Sequence, residues 1–295
     1  MGNQYVISAF KHASILIKGV QNLNLTPNLQ QIISSGSGAV DPTFVSIGQM
    51  QPEITFDATA IKTALAGVGG ISGAAMSSDT FYFQRMLAGG KRGGASTNIK
   101  VVAVAGIIIP TQIRAAQSRE ATIGYRAVPV SSNGILAPIT MTTLQSLETG
   151  QDAANEIYTL GPVTVNGTAL PGVDDMTLDF GINLEIIFAD GGIYPTFVGI
   201  MNRAPFFTVK TFDLDALASW DIDGIVQGAT DSTIILQNQV EGGVRGAAPI
   251  TFSVNAGMAH FENITGAHGQ RIGGSARVTP TWDGTADIIA ITGIT

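Results

Sequence analysis

Side chains with catalytic chemistry are scarce in this sequence. It contains three histidines, no cysteine and 22 Asp and Glu residues in 295 positions. The lack of cysteine excludes thiolate metal sites and cysteine nucleophiles. His260 and His268 lie near Glu262, but their separation fits neither the i, i+4 pair of a helix nor a strand pair. Because the common hydrolase, P-loop and zinc-protease motifs are also missing, we predict that the protein is not an enzyme and has no catalytic, metal or cofactor-binding residues.

Two similar glycine clusters are the most distinctive local feature. The first reads Gly-Gly-Lys-Arg-Gly-Gly and the second reads Gly-Gly-Val-Arg-Gly-Ala. A phosphate-binding loop would be expected to keep its lysine, but Val244 stands in the second cluster where Lys91 stands in the first. Both keep glycines and one arginine, which predicts a turn with positive φ and an arginine that pairs across an interface or on the sheet. The predicted assembly or loop positions are Gly89, Gly90, Arg92, Gly93, Gly242, Gly243, Arg245 and Gly246.

The glycine clusters belong to a repeat that covers most of the chain. Residues 5–106 align without a gap with residues 158–259, at an offset of 153, and 22 of these 102 positions are identical. About seven identities are expected by chance in a chain this rich in glycine and alanine. Beyond residue 106 the match requires a short deletion. The repeat predicts a first domain at 1–137, a linker at 138–156 and a second domain at 157–295.

The hydrophobic pattern predicts mostly strands. Apolar residues alternate with polar ones from Met176 to Ile186, which predicts one long strand with a buried face. In each half, helical spacing of apolar residues predicts one short helix, at Asp57–Leu65 and at Asp213–Trp220, each behind a capping residue. We therefore predict a mainly β fold with two tandem homologous β-sandwich or barrel domains, each with one short flanking α-helix. Further predicted strands in the first half are Ile54–Phe56, Phe81–Leu87, Ile99–Ile109 and Thr122–Val130.

The charge of the chain is low and unevenly distributed. Only 13% of residues are charged while 45% are hydrophobic, which predicts a surface that neighbouring copies cover. The net charge of −7 argues against binding to nucleic acid through neutralised phosphates. Residues 1–153 hold ten basic and seven acidic residues, whereas residues 154–295 hold five and fifteen. The longest apolar run, Val101–Ile109, is shorter than the roughly 20 residues of a membrane helix, so we expect no membrane partner.

The sequence resembles the tail tube proteins of tailed bacteriophages, in their form with two fused tube domains. The resemblance rests on the Pro52–Phe56 segment that leads into the helix, its repeat at Pro205–Val209, and the Ile264–Gln270 segment before the closing strands. It implies a structural virion protein, made in the host cytoplasm and located in the tail. It also implies that homotrimers form stacked, pseudo-hexameric rings, that other tail proteins are partners, and that double-stranded DNA passes through without specific binding. The family has no catalytic residues to transfer.

Two other interpretations remain open at the level of sequence. A trimeric capsid protein of the double jelly-roll type also has a pseudo-sixfold outline, but each half here keeps a helix directly after a strand. A carbohydrate-binding or adhesive β-sandwich protein would present an exposed aromatic platform. The chain has only two tryptophans, Trp220 and Trp282, and Trp220 lies at the end of a predicted helix.

Overall fold

The computed structural model describes residues 4–38, 40–87, 89–149, 157–215, 231–240, 244–267, 272–282, 284 and 287–294, and only the backbone at 225–227 and 244. The first half consists of β1 (Gln4–His12), β2 (Ile15–Ile17), β3 (Val20–Thr26), β4 (Leu29–Ser34), β5 (Phe44–Met50), β6 (Glu53–Ala58), α1 (Ile61–Gly67), a 3₁₀ turn (Gly70–Ser72), β7 (Ala74–Met86), β8 (Asn98–Ala116), β9 (Thr122–Pro129) and β10 (Ile139–Gln145).

The described part of the second half also consists mainly of strands, with the start of a helix at residues 214 and 215. The strands are β11 (Ile157–Val165), β12 (Thr168–Leu170), β13 (Val173–Asp179), β14 (Ile182–Phe188), β15 (Pro195–Arg203), β16 (Phe206–Thr211), β17 (Ile225–Gln227), β18 (Ser232–Val240), β19 (Val244–Arg245), β20 (Ile250–Val254), β21 (Gly257–Thr265), β22 (Gly273–Pro280) and β23 (Ala290–Thr292). The prediction of a mainly β fold is confirmed. No helix among the described residues is both long and apolar enough to cross a bilayer.

Strand bounds and register follow the 153-residue repeat. The strands β11, β12, β13 and β16 begin and end 153 residues after β1, β2, β3 and β6. Tyr5 pairs with Arg85 between β1 and β7, and Tyr158 pairs with Asn238 between β11 and β18, so the register of this ladder is also conserved between the halves. Gly19 and Gly172 even share a left-handed backbone, with φ of 64° and 65°.

The length difference between the halves lies earlier than the sequence alignment placed it. Gly93 N–H donates to Arg85 O, and Gly246 N–H donates to Asn238 O, which still agrees with an offset of 153. In the next strand Phe81 pairs with Val101 whereas Ile234 pairs with Phe252, which gives an offset of 151. The two-residue deletion therefore falls in the loop before β8, where changes in length cost little, and not beyond residue 106.

Two layers of strands pack face to face in the first half. Phe10 on β1 and Phe81 on β7 stack with ring centroids 4.5 Å apart. Phe10 contacts Phe56 on β6 at 4.9 Å, and Phe56 stacks on Tyr125 of β9 at 5.3 Å. These rings fill the space between a layer of order β2-β1-β7-β8-β10 and a layer of order β3-β6-β9-β8. The equivalent positions of the second half are aliphatic and equally buried: Val163, Ile234, Val209 and Ala276.

One continuous sheet joins the two halves. The end of β8 pairs with β13, so the strands run in the order β3-β6-β9-β8-β13-β16-β22-β21; we call this array the long sheet. The second half completes its other layer with β12-β11-β18-β20-β23. Two hairpins form separate two-stranded sheets. In the chain, β4–β5 lies between β3 and β6 of the long sheet, and β14–β15 lies between β13 and β16.

Three local predictions require revision. The predicted long strand from Met176 to Ile186 is two strands, because Gly181 adopts φ of 53° and redirects the chain into a hairpin. Asp57 is not a helix cap, since it belongs to β6 and Ala60 precedes α1 without a side-chain cap. The segment 138–156, predicted as a linker, contains β10, which pairs with β8, while its residues 150–156 lie outside the described residues. Most of the second predicted helix, residues 216–220, also lies outside them.

Candidate functional site

The ladder between β8 and β13 is the structural link between the two repeats. Five consecutive pairs run from Asp175 opposite Ala116 to Asp179 opposite Gln112. One further backbone bond extends the ladder at each end, from Gln117 N to Asp174 O at 2.8 Å and from Phe180 N to Thr111 O at 3.0 Å. The two halves therefore meet strand to strand, as neighbours within a single sheet do.

The two faces of this ladder have opposite character. On the core side, Leu178 lies opposite Ile113 and Met176 lies opposite Ala115, and all four are buried. On the other side, Thr177 lies opposite Arg114, and Arg114 is exposed. The apolar core thus continues from one half into the other, while a polar face continues beside it.

The hairpin β14–β15 strengthens the junction by lying against the first half. Ser131 N–H donates to Pro195 O at 2.7 Å, and Gly134 O accepts bonds from Ile193 N and Tyr194 N at 2.8 and 2.9 Å. Pro195 is buried in this arrangement. In addition, the Arg203 guanidinium donates to the Ser72 carbonyl at 3.2 Å. The second half therefore contributes both a strand and a hairpin to the junction.

The outward face of the long sheet carries charges of both signs close to one another. Arg126 donates to Glu53 at 2.8 Å. The equivalent arginine of the second half, Arg277, lies over the Phe206 ring at 3.7 Å and 3.8 Å from Glu262. Lys210 lies 3.7 Å from Asp175. Charged residues of both signs on the strands of the long sheet include Glu53, Asp57, Arg114, Arg126, Asp175, Asp179, Lys210, Glu262 and Arg277.

In the first half, the predicted glycine positions form a turn after β7. Gly89 and Gly90 have φ of 80° and 75°, as the prediction of a turn requires. Arg92 forms an isolated bridge with Met86, and Arg245 pairs with Gln239 at the equivalent place. A Cβ on Gly93 would lie 3.0 Å from Arg85 O, and one on Gly246 would lie 3.0 Å from Asn238 Cγ. Gly242 and Gly243 lie outside the described residues, and a role of these loops in assembly stays a prediction.

The two described histidines lie in different halves of the chain and have different surroundings. His12 Nδ1 and Asp79 Oδ2 are 2.7 Å apart and almost completely buried in the first half. His260 lies on β21 opposite Arg277, while His268 lies outside the described residues. Within the described residues no three His, Asp or Glu side chains cluster as metal ligands would.

One cluster fixes the segment after β10 to the first half. Lys11 Nζ donates to Glu148 Oε1 at 2.6 Å, and the Tyr82 hydroxyl donates to Glu148 Oε2 at 3.0 Å. The hydrogen bonds from Lys11 and Tyr82 lower the pKa of Glu148. Burial, followed by the bond to Glu148, raises the pKa of Tyr82 to about 12. These contacts hold the segment after β10 against β1 and β7.

The residues of the junction were not singled out by sequence reasoning. The one available signal was the identity of Leu25 with Leu178 at the repeat offset, but an identity does not show which neighbour a strand will pair with.

No protein-family model matches the sequence, and comparison with curated proteins also gives no match.

Proposed function

We propose that this chain is a structural virion protein that assembles into stacked rings and so forms a tail tube through which double-stranded DNA passes. The β8–β13 ladder carries the proposal, because it joins two equivalent units edge to edge into one sheet. We infer that each half is one β-sandwich domain of a tandem duplication. Three chains then supply six units to a pseudo-hexameric ring, and repeated use of the same junction geometry closes it.

The polar face of the long sheet supports a channel role. Proteins that hold DNA neutralise its phosphates with lysine and arginine side chains. Here Arg126, Lys210 and Arg277 each have a carboxylate within 4 Å, and the chain carries a net charge of −7. A wall of this kind offers phosphates little attraction, which favours passage of DNA over its retention.

The apolar surface supports an assembled state. The described residues include exposed large apolar side chains such as Ile33, Phe44, Val45, Met141 and Trp282. Ile33 and Val45 lie opposite each other on the hairpin β4–β5, and contiguous apolar surface is a feature of protein–protein contacts. The proposal therefore places the protein in the tail of the virion after synthesis in the host cytoplasm, in contact with its own copies and with other tail proteins.

Light scattering on a size-exclusion column, combined with negative-stain imaging, tests this function. We expect particles whose mass is three times 30.6 kDa, or rings and tubes with a central channel. Closed shells would instead favour a capsid protein of the double jelly-roll type. A stable monomer that binds a glycan through Trp282 would favour an adhesive protein and would overturn the proposal.

A further inference from the structure

The edges that meet inside the chain occur a second time at the two ends of the long sheet. Strand β3 is the equivalent of β13 and pairs only with β6 among the described strands. The end of β21 is the equivalent of the end of β8, and beyond Phe261 its described residues pair only with β22. As far as the structure describes the chain, it therefore presents an open copy of each side of its own junction.

The side chains at the open edges are more exposed than their equivalents in the internal junction, as expected where a neighbouring strand is missing. Leu178 and Ile113 are both 0% exposed where the internal ladder buries them. Their equivalents, Leu25 on β3 and Ile264 on β21, are 37% and 53% exposed. These two side chains have the same apolar character as the buried pair but lack the neighbour that would cover them.

The residues of the two open edges lack the charged side chains that typically protect a free edge. Soluble proteins usually place lysine or other charged side chains on such strands, because unpaired N–H and C=O groups recruit other chains. Residues 20–26 of β3 and residues 263–265 of β21 contain no charged residue. Uncharged, open and complementary edges indicate strands that pair with another copy.

The hairpin β4–β5 shows the same contrast with its equivalent. Pro195, near the start of β15, is buried against the first half, whereas its equivalent Pro42 is exposed. Val40 beside it is 97% exposed. Ser131, which donates to Pro195 O, corresponds to Trp282, and Trp282 is 71% exposed. The hairpin β4–β5 and the surface around Trp282 are therefore equivalent to the two surfaces that meet at Pro195 and Ser131, but here both surfaces are exposed.

We infer that copies join head to tail through a replica of the internal junction: β3 of one copy pairs antiparallel with β21 of its neighbour, and hairpin β4–β5 lies over Trp282 of that neighbour. This inference rests on the self-assembly proposed above. The internal register sets the pairs as Asn24 with Thr265, Leu25 with Ile264, and Thr26 with Asn263. The intermolecular ladder ends at Thr26, because Pro27 stands where Phe180 donates its N–H.

Disulfide cross-linking tests the register directly, because the chain has no cysteine of its own. Asn24 and Thr265 are the best positions. Their internal equivalents, Thr177 and Arg114, lie one residue from hydrogen-bonded pairs, so they form a non-hydrogen-bonded pair with closely spaced side chains. Under mild oxidation the double variant Asn24→Cys/Thr265→Cys should form covalent oligomers up to closed rings. The internal double variant Arg114→Cys/Thr177→Cys is the matched control, and it should form its disulfide within one chain, with no increase in mass.

The single variants show the direction of the contact. In a head-to-tail interface β3 meets β21 and never another β3, so Asn24→Cys alone and Thr265→Cys alone should stay uncross-linked. A mixture of the two single variants should give covalent dimers. Cross-linking of Asn24→Cys with itself would overturn the head-to-tail arrangement.

Imaging of the unmodified protein separates this inference from the proposed function. Rings without cross-linking of the double variant would overturn the inferred contact and leave the proposed function standing. Cross-linked open fibres would confirm the contact but contradict a closed ring. A protein that neither assembles nor cross-links, even when concentrated, would overturn both.

A second pair of variants tests the apolar part of the contact. Leu25→Asp and Trp282→Ala should each raise the protein concentration needed for assembly by about tenfold or more, as central apolar contacts do in other interfaces. Both residues are exposed within a single chain, so circular dichroism should show an unchanged fold. Assembly at the concentration of the unmodified protein would contradict the inferred contact.

Discussion

Leu178 on β13 lies directly opposite Ile113 on β8, and both side chains are fully buried although they belong to different halves of the chain. The pair lies on the core side of the ladder that makes the long sheet continuous. The core of one repeat is therefore completed by the other, and the two halves should unfold as one cooperative unit.

Shortening either member of this pair should destabilise the whole chain. Leu178→Ala removes a fully buried side chain and leaves a cavity, which typically costs about 2–5 kcal/mol. Urea unfolding followed by fluorescence measures this loss. Leu25→Ala, at the equivalent and partly exposed position, is the matched control and should cost under about 1.5 kcal/mol in the unassembled chain. Equal losses at the two positions would contradict the structural difference between the inner and outer edges.

A glycine at a close approach between two strands should be indispensable in both repeats. Gly106 and Gly257 are equivalent, have φ of 141° and 151°, and would place a Cβ 2.2 and 2.4 Å from the carbonyl oxygens of Val128 and Thr279. Alanine at either position should cost about 3 kcal/mol or more, because the neighbouring strand must shift. Thermal unfolding measures this cost. Gly94→Ala, with open space around it, is the control and should stay within about 0.5 kcal/mol.

The buried His12–Asp79 pair should be replaceable only as a pair. At the equivalent positions the second half has Val165 and Ser232, and the Ser232 hydroxyl accepts a bond from Asn166 N at 3.0 Å. Either His12→Val or Asp79→Ser alone leaves the other buried polar side chain without its hydrogen-bond partner, which typically costs about 3–5 kcal/mol. The double variant copies the second half and should cost clearly less than the sum of the two single changes. A double-mutant cycle from urea unfolding checks this, and strictly additive losses would contradict it.

The Lys11–Glu148–Tyr82 cluster should make stability sensitive to acid. Hydrogen bonds lower the pKa of Glu148 in the folded chain, so its contribution is present above the pKa of the unfolded state and is lost as pH falls through the folded pKa. Glu148→Gln should remove this part of the acid sensitivity, measured as the difference in unfolding midpoint between neutral and acidic pH.

The same variant should change the ionisation of Tyr82. Its pKa of about 12 owes most to burial and part to Glu148, so Glu148→Gln should lower it while leaving it above 10.0, the ordinary value. Absorbance of the tyrosinate anion against pH measures the change. A Tyr82 titration that stays the same in the variant would contradict the hydrogen bond.

Sequence patterns located several strands but not the strands with which they pair. The predictions at Ile54–Phe56 and Thr122–Val130 match β6 and β9, because alternation is a local property that each strand carries in its own residues. Strand β8, expected to end at Ile109, continues through Pro110 to Ala116, since a register shift between Pro110 and Gln112 accommodates a residue without an N–H.

The junction itself depends on a long-range choice of partner. Leu25 and Leu178 occupy equivalent places in the repeat, yet only Leu178 is covered within the chain. Periodicity assigns both side chains to a buried face and does not say which strand covers them. The low charge of the chain was a partial guide to these edges. It predicted that neighbouring copies cover much of the surface, and the uncharged edges of β3 and β21 lack a covering strand among the described residues.

The covalent connection between the repeats changes how a ring of these chains would form. In such a ring, every second contact would be made while a single polypeptide folds, so its formation would not depend on the protein concentration. Only the alternate contacts would require collision between molecules, and each collision would add two units to the ring. Fusion would also fix the order of the two kinds of unit, so that each strongly acidic half would have a weakly basic half on both sides.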